Sequence, residues 1–329
     1  MSIAANSAGT KPAPDNNQKS GKLPFKKIFM KNWELYLLLL LPLAWLIIFN
    51  YVPMYGSLIA FKRFSARKGI WDSPWAANFG FANFIKFFNS PISFQIVRNT
   101  LAISLYGIVA GFPMPVILAL SLNACLGKRF KKSVQYFSYM PYFISTVVMV
   151  GILNRIMHPT IGVLGRLLTQ PNDSGVIIPL MGRADLFSTI YVWSGIWQNN
   201  GWNSVIYIAA LSAIDPELHE AAMIDGASRL RRIFHIDIPG ILPTMIILLI
   251  LNTGHIMSVG FEKVFLMQNN LNMSTSRIIS TYVYDIGLRS ESADFSYATA
   301  IGLFNSVVNL VLITTVNRIA QKLGDTSLW

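Results

Sequence analysis

Charged side chains are scarce in this chain of 329 residues: Asp, Glu, Lys and Arg together make up 13% of it, about half of their usual share in soluble domains. Hydrophobic residues make up 53%, and the mean hydropathy is +0.47. These values exclude an ordinary soluble domain and indicate an integral membrane protein. The single cysteine, Cys125, cannot form a disulfide within the chain, and its place at the end of an apolar segment indicates packing.

The sequence also lacks the motifs of an enzyme. It has no glycine-rich phosphate loop of the GxxxxGKS or GxxxxGKT type, so we do not expect it to bind or hydrolyse ATP by itself. No nucleophile–base pair and no cluster with metal-ligand spacing is evident. We therefore expect no cofactor and no metal in this chain.

Stretches of about 20 apolar residues cross a bilayer as a helix, and the sequence contains six of them. They lie at about 35–52, 99–122, 134–154, 187–212, 241–260 and 297–317. We expect an all-α membrane protein with six transmembrane helices. None of the six contains Asp, Glu, Lys or Arg, the groups with which ion-coupled carriers hold their coupling ion. The energy for any transport is therefore expected to come from outside the spans.

The net charge of +12 invites a nucleic-acid interpretation, but the distribution of the charge favours a membrane topology. Basic residues crowd the short loops at 128–132 and 229–232, which lie on one side if spans two to five are correct. The positive-inside rule makes that side cytoplasmic, so we expect both termini there and no nucleic-acid partner. The loop after the first span is also basic and includes Lys62 and Arg63, but long loops translocate despite such charge.

The composition divides the chain into two parts. Residues 1–30 are rich in Ala, Asn, Ser, Pro and Lys, which predicts a disordered cytoplasmic tail. Residues 31–329 would form the transmembrane domain, with a long external loop at 53–97. Four apolar residues of that loop recur at helical spacing: Phe81, Phe84, Ile85 and Phe88. The pattern fits a helix on the membrane surface or a loop packed on the ends of the bundle.

The polar segment at 213–240 is more elaborate than a simple connector between two spans. Asp215 is a good N-cap and Pro216 fits the first position of a helix. Gly226 can adopt the left-handed conformation that ends this helix, and the Pro239–Gly240 pair is expected to close a second one. We interpret the segment as two short helices that dock onto a partner.

This segment resembles the EAA loop of ABC-importer permeases. The pattern is Glu-Ala-Ala, a glycine at the seventh position, and Ile-x-Leu-Pro at the end. Here the matching residues are Glu220, Ala221, Ala222, Gly226, Ile236 and Pro239, with Ile238 in place of the usual leucine. The resemblance implies that the loop is cytoplasmic and inserts into a cleft on an ATPase subunit. The residues expected to couple to the ATPase are Glu220, Ala221, Ala222, Asp225, Gly226 and Ala227.

The fourth and fifth spans contain the polar and aromatic residues of a candidate substrate path. Trp193, Trp197 and Asn200 fall at helical spacing on one face. Asn203 follows them, and Asn252 and His255 lie in the fifth span. Aromatic faces and amides suit sugars, which offer apolar C–H faces and many hydroxyls. The alternative is that the tryptophans face lipid headgroups, while the amides and the histidine join neighbouring helices.

A second resemblance extends over nearly everything after residue 30. It rests on Asn32-Trp33-Glu34-Leu35, Val52-Pro53-Met54-Tyr55-Gly56, Phe61-Lys62, Asn83-Phe84, Arg98-Asn99-Thr100, Met140-Pro141-Tyr142-Phe143-Ile144-Ser145 and Ser327-Leu328-Trp329. These motifs are similar to those of the carbohydrate-uptake permeases of type I ABC importers. The similarity is strongest to the branch for polysaccharides and oligosaccharides, which includes the alginate importer.

This resemblance implies a type I importer permease fold in a bacterial inner membrane. It also implies a second permease of similar fold, two ATPase subunits that carry ATP and Mg, an extracytoplasmic solute-binding protein and an oligosaccharide substrate. The basic first loop would suit an anionic uronate oligomer such as alginate, although the same charges could bind the solute-binding protein or lipid phosphates. Import would proceed by alternating access. The alternatives are an ion-coupled secondary transporter and a membrane scaffold that recruits a soluble partner.

Overall fold

The computed structural model describes residues 33–169 and 177–323. In these ranges the chain is helical, and two isolated bridges, Lys62 with Trp75 and Ser65 with Gly69, are the β pairings that occur. The prediction of an all-α protein is therefore confirmed. The predicted tail at 1–30 and the closing motif at 327–329 lie outside the described residues.

The chain divides into two compact units after Gly56. The described part of the first unit begins with helix α1 (Trp33–Leu46), which continues through a π turn (Ile47–Tyr51) and α2 (Val52–Met54). A 3-10 turn (Tyr55–Phe61) follows. None of the residues of α1 and α2 is buried, so this apolar helix exposes its leucine-rich surface.

The second unit contains the remaining helices. They are α3 (Gly69–Asp72), α4 (Ala82–Phe88), α5 (Pro91–Gly111), α6 (Pro113–Ala124), α7 (Lys128–Tyr139), α8 (Thr146–Ile156), α9 (Val163–Leu168), α10 (Phe187–Ser212), α11 (Pro216–Ile224), α12 (Arg229–Arg232), α13 (Ile238–Gly254), α14 (Phe261–Met267), α15 (Met273–Ser276), α16 (Ile279–Tyr284) and α17 (Phe295–Leu323). A 3-10 turn (Met140–Phe143) follows α7, and π turns (Ile233–Asp237 and Asp285–Arg289) precede α13 and follow α16.

Three apolar clusters hold this unit together. The first joins α5, α8, α10 and α14 through Ile103, Val150, Phe187 and Val264. The second joins α4, α5, α16 and α17 through Phe87, Ile96, Ile279 and Ile301. The third joins α6, α10 and α13 through Ala119, Tyr207 and Ile241. Helix α10 contributes to the first and third clusters and therefore links these two clusters.

Four helical stretches are long and apolar enough to cross a membrane: Trp33–Phe61, Pro91–Ala124, Arg229–Gly254 and Phe295–Lys322. The predicted fourth span, 187–212, is the single helix α10, but its run of amides makes it less apolar than these four. The number rises to five if a bent pair of helices counts as one span. Six transmembrane spans therefore stay a prediction.

The bent pair corrects the predicted third span, because no continuous helix covers 134–154. Lys128–Phe143 and Thr146–Ile156 meet at an angle of 100°. Ile144 and Ser145 between them have extended backbones, and the Ser145 side chain accepts a hydrogen bond from the Val148 amide as a new N-cap. Such caps start helices, and Pro141 cannot donate the hydrogen bond of a helix interior.

The segment at 53–97 is also corrected, because it is largely helical and not a loop. Helix α4 packs on α17, where the Phe87 and Phe304 ring centroids lie 5.5 Å apart. Phe87 is buried, whereas Phe81 and Phe88 of the predicted apolar stripe are exposed. The interpretation of a segment packed on the bundle is therefore favoured, with Phe87 at the contact. The segment at 261–296, between the predicted fifth and sixth spans, likewise holds α14, α15 and α16.

The crossing of α7 and α10 generates a testable prediction about stability. A Cβ atom at Gly201 would overlap the backbone carbonyl of Ser138, so the two helices would have to move apart. We expect Gly201→Ala to lower the free energy of unfolding by about 1–3 kcal/mol, the usual cost of overpacking. The measurement is the thermal unfolding of the purified chain in detergent.

The matched control is Gly151→Ala in α8, where a Cβ would meet nothing within 4 Å. Alanine is the better helix former by about 1 kcal/mol, so this variant should melt no earlier than the wild type. Equal melting temperatures for the two variants would contradict the close approach of α7 and α10.

Candidate functional site

A cavity of about 530 Å³ lies between α5, α10, α13 and the segment that leads into α14. Helix α5 contributes small residues, Gly107 and Gly111, and α10 contributes amides and two tyrosines, Tyr191 and Tyr207. Lys263 of α14 completes the lining on one side. The volume falls in the range of ordinary small-ligand pockets.

The amides are the main polar groups of the cavity. Asn199 donates to the carbonyl of Gly195 at 2.9 Å, and Gln198 donates to the carbonyl of Ile144 at 2.8 Å. The Oδ1 atom of Asn200 is buried and has no hydrogen-bond partner among the described residues. A buried polar atom without a partner is costly, and Asn200 is one of the residues that line the cavity.

Four of the six residues predicted for the substrate path come together in this cavity. They are Asn200, Asn203, Asn252 and His255. Trp193 and Trp197 do not line it and are 45% and 52% exposed. Trp193 instead donates from Nε1 to the hydroxyl of Tyr106 at 2.8 Å.

The helical geometry of α10 explains this correction. Each residue turns the helix by about 100°, and the lining positions centre on Gly195 and Asn199. Asn200 lies at the edge of that face, and Trp193 and Trp197 lie further round the helix. Trp193 is two residues, or about 200° of rotation, from Gly195, and Trp197 is equally far from Asn199, so the two tryptophans lie almost on the opposite side of the helix from the lining.

His255 also differs from its predicted place within an apolar helix at 241–260. Helix α13 ends at Gly254, and His255 is its C-cap, with a backbone amide that donates to the carbonyl of Asn252 at 3.2 Å. The imidazole belongs to the cavity lining at the end of the helix, where it is exposed. The segment 255–260 is not helical.

Lys263 is the residue of the cavity that sequence reasoning missed. It is only 9% exposed, its Nζ donates to the carbonyl of Tyr191 at 2.7 Å, and it lies 4.6 Å from the centroid of the Tyr191 ring. Burial lowers the pKa of the ammonium group to about 8. The available signal was that the pair Glu262-Lys263 interrupts an otherwise apolar run at 261–267.

The loop at 213–240 forms the expected pair of helices. The Asp215 side chain accepts from the Glu217 amide at 2.9 Å and caps α11. Gly226 has a φ of +77°, the left-handed conformation in which glycine is favoured. Ser228 then caps the second helix through the Arg231 amide.

The second helix of the loop does not end at Pro239 and Gly240, which corrects the predicted closure. It runs without a break from Arg229 to Gly254. The π turn at Ile233–Asp237 shifts the hydrogen-bond pattern, with the Ile238 amide donating to the carbonyl of Ile233. Since a π turn replaces the regular helical bonds at this point, Pro239 is accommodated although it has no N–H to donate.

The residues predicted to couple to an ATPase lie together on this loop. Glu220, Ala221, Asp225 and Gly226 are exposed, and Ala222 and Ala227 are half-buried. Large apolar side chains beside them are exposed as well, including Ile224 at 87%. Exposed apolar residues with a polar rim are typical of interaction surfaces.

A polar cluster ties this loop to the bundle. Asp237 is buried, and its Oδ1 lies 3.3 Å from Nε2 of His219 in α11. The same oxygen accepts from Asn123 of α6 at 3.3 Å. Sequence reasoning missed this contact, although a lone aspartate within the apolar run at 233–242 was a signal for it.

Comparison with known proteins identifies the family. The family described as "Binding-protein-dependent transport system inner membrane component" matches residues 111–325. Protein LplB of Bacillus subtilis (strain 168) is 41% identical over 295 residues, which are 90% of this chain and 91% of LplB. The polygalacturonan/rhamnogalacturonan transport system permease protein YteP of the same organism is 37% identical over 312 residues, 95% of this chain and 94% of YteP.

Solved structures agree with this result. A chain of the bacterial alginate ABC transporter, crystallised in complex with an alginate pentasaccharide-bound periplasmic protein, matches with a TM-score of 0.82 and 35% identity. The match covers 92% of this chain and 99% of that one. A second crystal structure, of a bacterial ABC transporter involved in the import of the acidic polysaccharide alginate, gives a TM-score of 0.80 and 36% identity over 90% of this chain.

The resemblance to carbohydrate-uptake permeases with the type I fold is thus confirmed. The family supplies the membrane permease and not the ATPase. The chain therefore belongs to the binding-protein-dependent transport system inner membrane components, the permease subunits of ABC transporters.

Proposed function

We propose that this chain is a permease subunit of an ATP-driven importer of oligosaccharides or polysaccharides. The observation that carries the proposal is the amide-lined cavity, to which Asn199, Asn200 and Asn203 contribute. Sugar hydroxyls are donors and acceptors that suit such a lining. The polygalacturonan/rhamnogalacturonan permease and the alginate transporter among the similar proteins support a sugar polymer as the transported class.

The aromatic contribution to sugar binding differs from the expectation. Tyr191 and Tyr207 line the cavity, whereas Trp193 and Trp197 do not. A tyrosine offers an apolar ring and a hydroxyl, and both parts match the alternating C–H and O–H surface of a sugar. The amides of Asn199, Asn200 and Asn203 would then bind hydroxyls at the edge of the ring.

The coupling loop would transmit the work of the ATPase. In the proposed assembly, α11 and Gly226 seat in the cleft of an ATPase subunit, with Glu220 as the charged contact. The exposed Ala221 and the exposed apolar side chains of the loop, such as Ile224, support such a fit. ATP and Mg would be bound by two separate ATPase subunits, and closure of their dimer would move the loop and switch the cavity between its two openings by alternating access.

The remaining partners follow from the same assignment. A second permease would complete the path, and an extracytoplasmic solute-binding protein would deliver the sugar. The coupling loop and both termini would be cytoplasmic, in a bacterial inner membrane. No residue of the apolar helix α1 is buried, which supports a membrane location in which lipid or a partner helix covers it.

Uptake measurements test the proposed function. The panel of labelled oligosaccharides includes neutral and acidic trisaccharides. Cells without this chain should fail to accumulate at least one of them, and reintroducing the gene should restore its uptake. An unchanged uptake of the whole panel would overturn the proposal.

Charge reversal at Glu220 tests the docking contact. Loss of one partner in a close interfacial charge pair costs about 2–5 kcal/mol, so Glu220→Lys should abolish co-purification of the ATPase and sugar uptake together. Gly226→Val should act alike, because a β-branched residue is strained at a φ of +77°. The matched control is Glu291→Lys, an exposed site outside the loop. If both loop variants retain ATPase and uptake, the coupling assignment is wrong.

Asp237 tests the connection between the loop and the bundle. Asp237→Ala leaves His219 and Asn123 without their shared acceptor, which costs about 1–3 kcal/mol and should loosen α11. We expect more ATP hydrolysed per sugar transported in the reconstituted transporter. Asp237→Asn keeps an acceptor oxygen and should retain most of the coupling. An unchanged ratio of ATP to sugar in the alanine variant would contradict this role.

A further inference from the structure

The environment of Lys263 is unusual for a charged group. Its side chain is buried, yet its polar contacts are one carbonyl, that of Tyr191, and the face of the same tyrosine ring. Across the described ranges, none of the ion pairs formed by acidic side chains includes Lys263. An ammonium group has three donors, and a buried cation without an anion is costly. The site therefore favours a negatively charged ligand.

The cavity is shaped around this ammonium group. A Cβ atom at Gly195 would lie 3.1 Å from Nζ, so a larger residue there would crowd the charge. On the next turn of α10, Asn199 also faces the cavity. The lining contains no Asp or Glu among the described residues, which leaves the charge of Lys263 uncompensated.

Two lysines of the basic first loop are already held by protein groups. The basic first loop suggested an anionic oligomer, but Lys62 is buried and donates to the carbonyls of Ile70 and Trp71. Lys86 pairs with Asp294 at 2.9 Å. These lysines are used within the fold, whereas Lys263 faces the cavity.

We infer that Lys263 binds a carboxylate of the transported sugar and selects oligomers of uronic acids over neutral oligosaccharides. This inference rests on the proposed function, because it assigns the substrate class of the same cavity. The ammonium would donate to the carboxylate while the amides of Asn199 and Asn200 bind hydroxyls of the same or the next sugar ring. With a pKa of about 8, Lys263 is largely charged at neutral pH, and a bound carboxylate would favour that charge further.

The competing explanation is structural. An acidic residue of the partner permease could face Lys263 in the assembled transporter, and the lysine would then hold the two permeases together. The two explanations differ in what a neutral replacement does, because a structural lysine affects every substrate and the assembly, whereas a selecting lysine affects acidic substrates alone.

The test compares the uptake of labelled trigalacturonate with the uptake of its trimethyl ester, in which each carboxyl group is esterified and therefore uncharged. Cells carry the whole transporter with wild-type chain, Lys263→Met, Lys263→Arg, or the exposed control Lys68→Met. Binding protein and partner permease are the same in every strain. A change in the ratio of acid to ester uptake between strains therefore reports this side chain alone.

We expect Lys263→Met to lower trigalacturonate uptake about 10- to 100-fold, the equivalent of one charge-assisted hydrogen bond, with ester uptake and co-purification of the second permease unchanged. Lys263→Arg should retain most of the acid uptake, and Lys68→Met all of it. Equal loss of both substrates, or loss of the second permease, would overturn the inference in favour of a structural lysine.

The wild-type strain separates this inference from the proposed function. If the wild-type strain takes up neutral oligosaccharides but no trigalacturonate, the inferred selection of uronates is wrong. The proposed function as an oligosaccharide permease would be unaffected by that result. Absence of uptake for every sugar of the panel would overturn the proposed function itself.

Discussion

An apolar environment penalises every polar group that lacks a partner, and α10 is where this constraint is concentrated. The helix carries four amides, Gln198, Asn199, Asn200 and Asn203, through the centre of the larger unit. Two of them are paired with carbonyls, one of which belongs to Ile144 at the break between α7 and α8. The helix break at Ile144 frees a backbone carbonyl, and the Gln198 amide satisfies it. The break in the predicted third span and the amides of α10 are therefore structurally connected.

Close packing holds this polar helix in place. Gly201, near the middle of α10, lets the helix approach the backbone of α7. Tyr207 and Leu211 hold the C-terminal part of α10 in the cluster with α6 and α13. Since helices in a membrane gain little from the hydrophobic effect on association, such small-residue contacts are a main source of their affinity.

Much of this arrangement is predictable from residue order, and the failures have definite causes. The cap at Asp215 and the turn at Gly226 are local, so the sequence sufficed for the first helix of the loop at 213–240 and its end, but not for the continuation of the second helix past Pro239. The orientation of α10 depends on its neighbours, and a prediction based on Trp193 and Trp197 chose a side of the helix almost opposite the cavity lining. Lys263 was missed because its burial comes from residues distant in sequence, such as Tyr191, and composition alone classed its segment as a loop.

The helix from Arg229 to Gly254 is continuous, and this continuity supports the proposed coupling role of the loop. The 26 residues of the helix span roughly 39 Å at 1.5 Å per residue. The loop lies at one end, and Asn252 and the capping His255 border the cavity at the other. A helix that ended at Pro239 would lose any displacement of the loop at a hinge. The π turn instead carries the chain past the proline, and Asp237 within it accepts a hydrogen bond from Asn123 of α6. In the proposed transporter, a movement of the loop would therefore reach the cavity through a single helix.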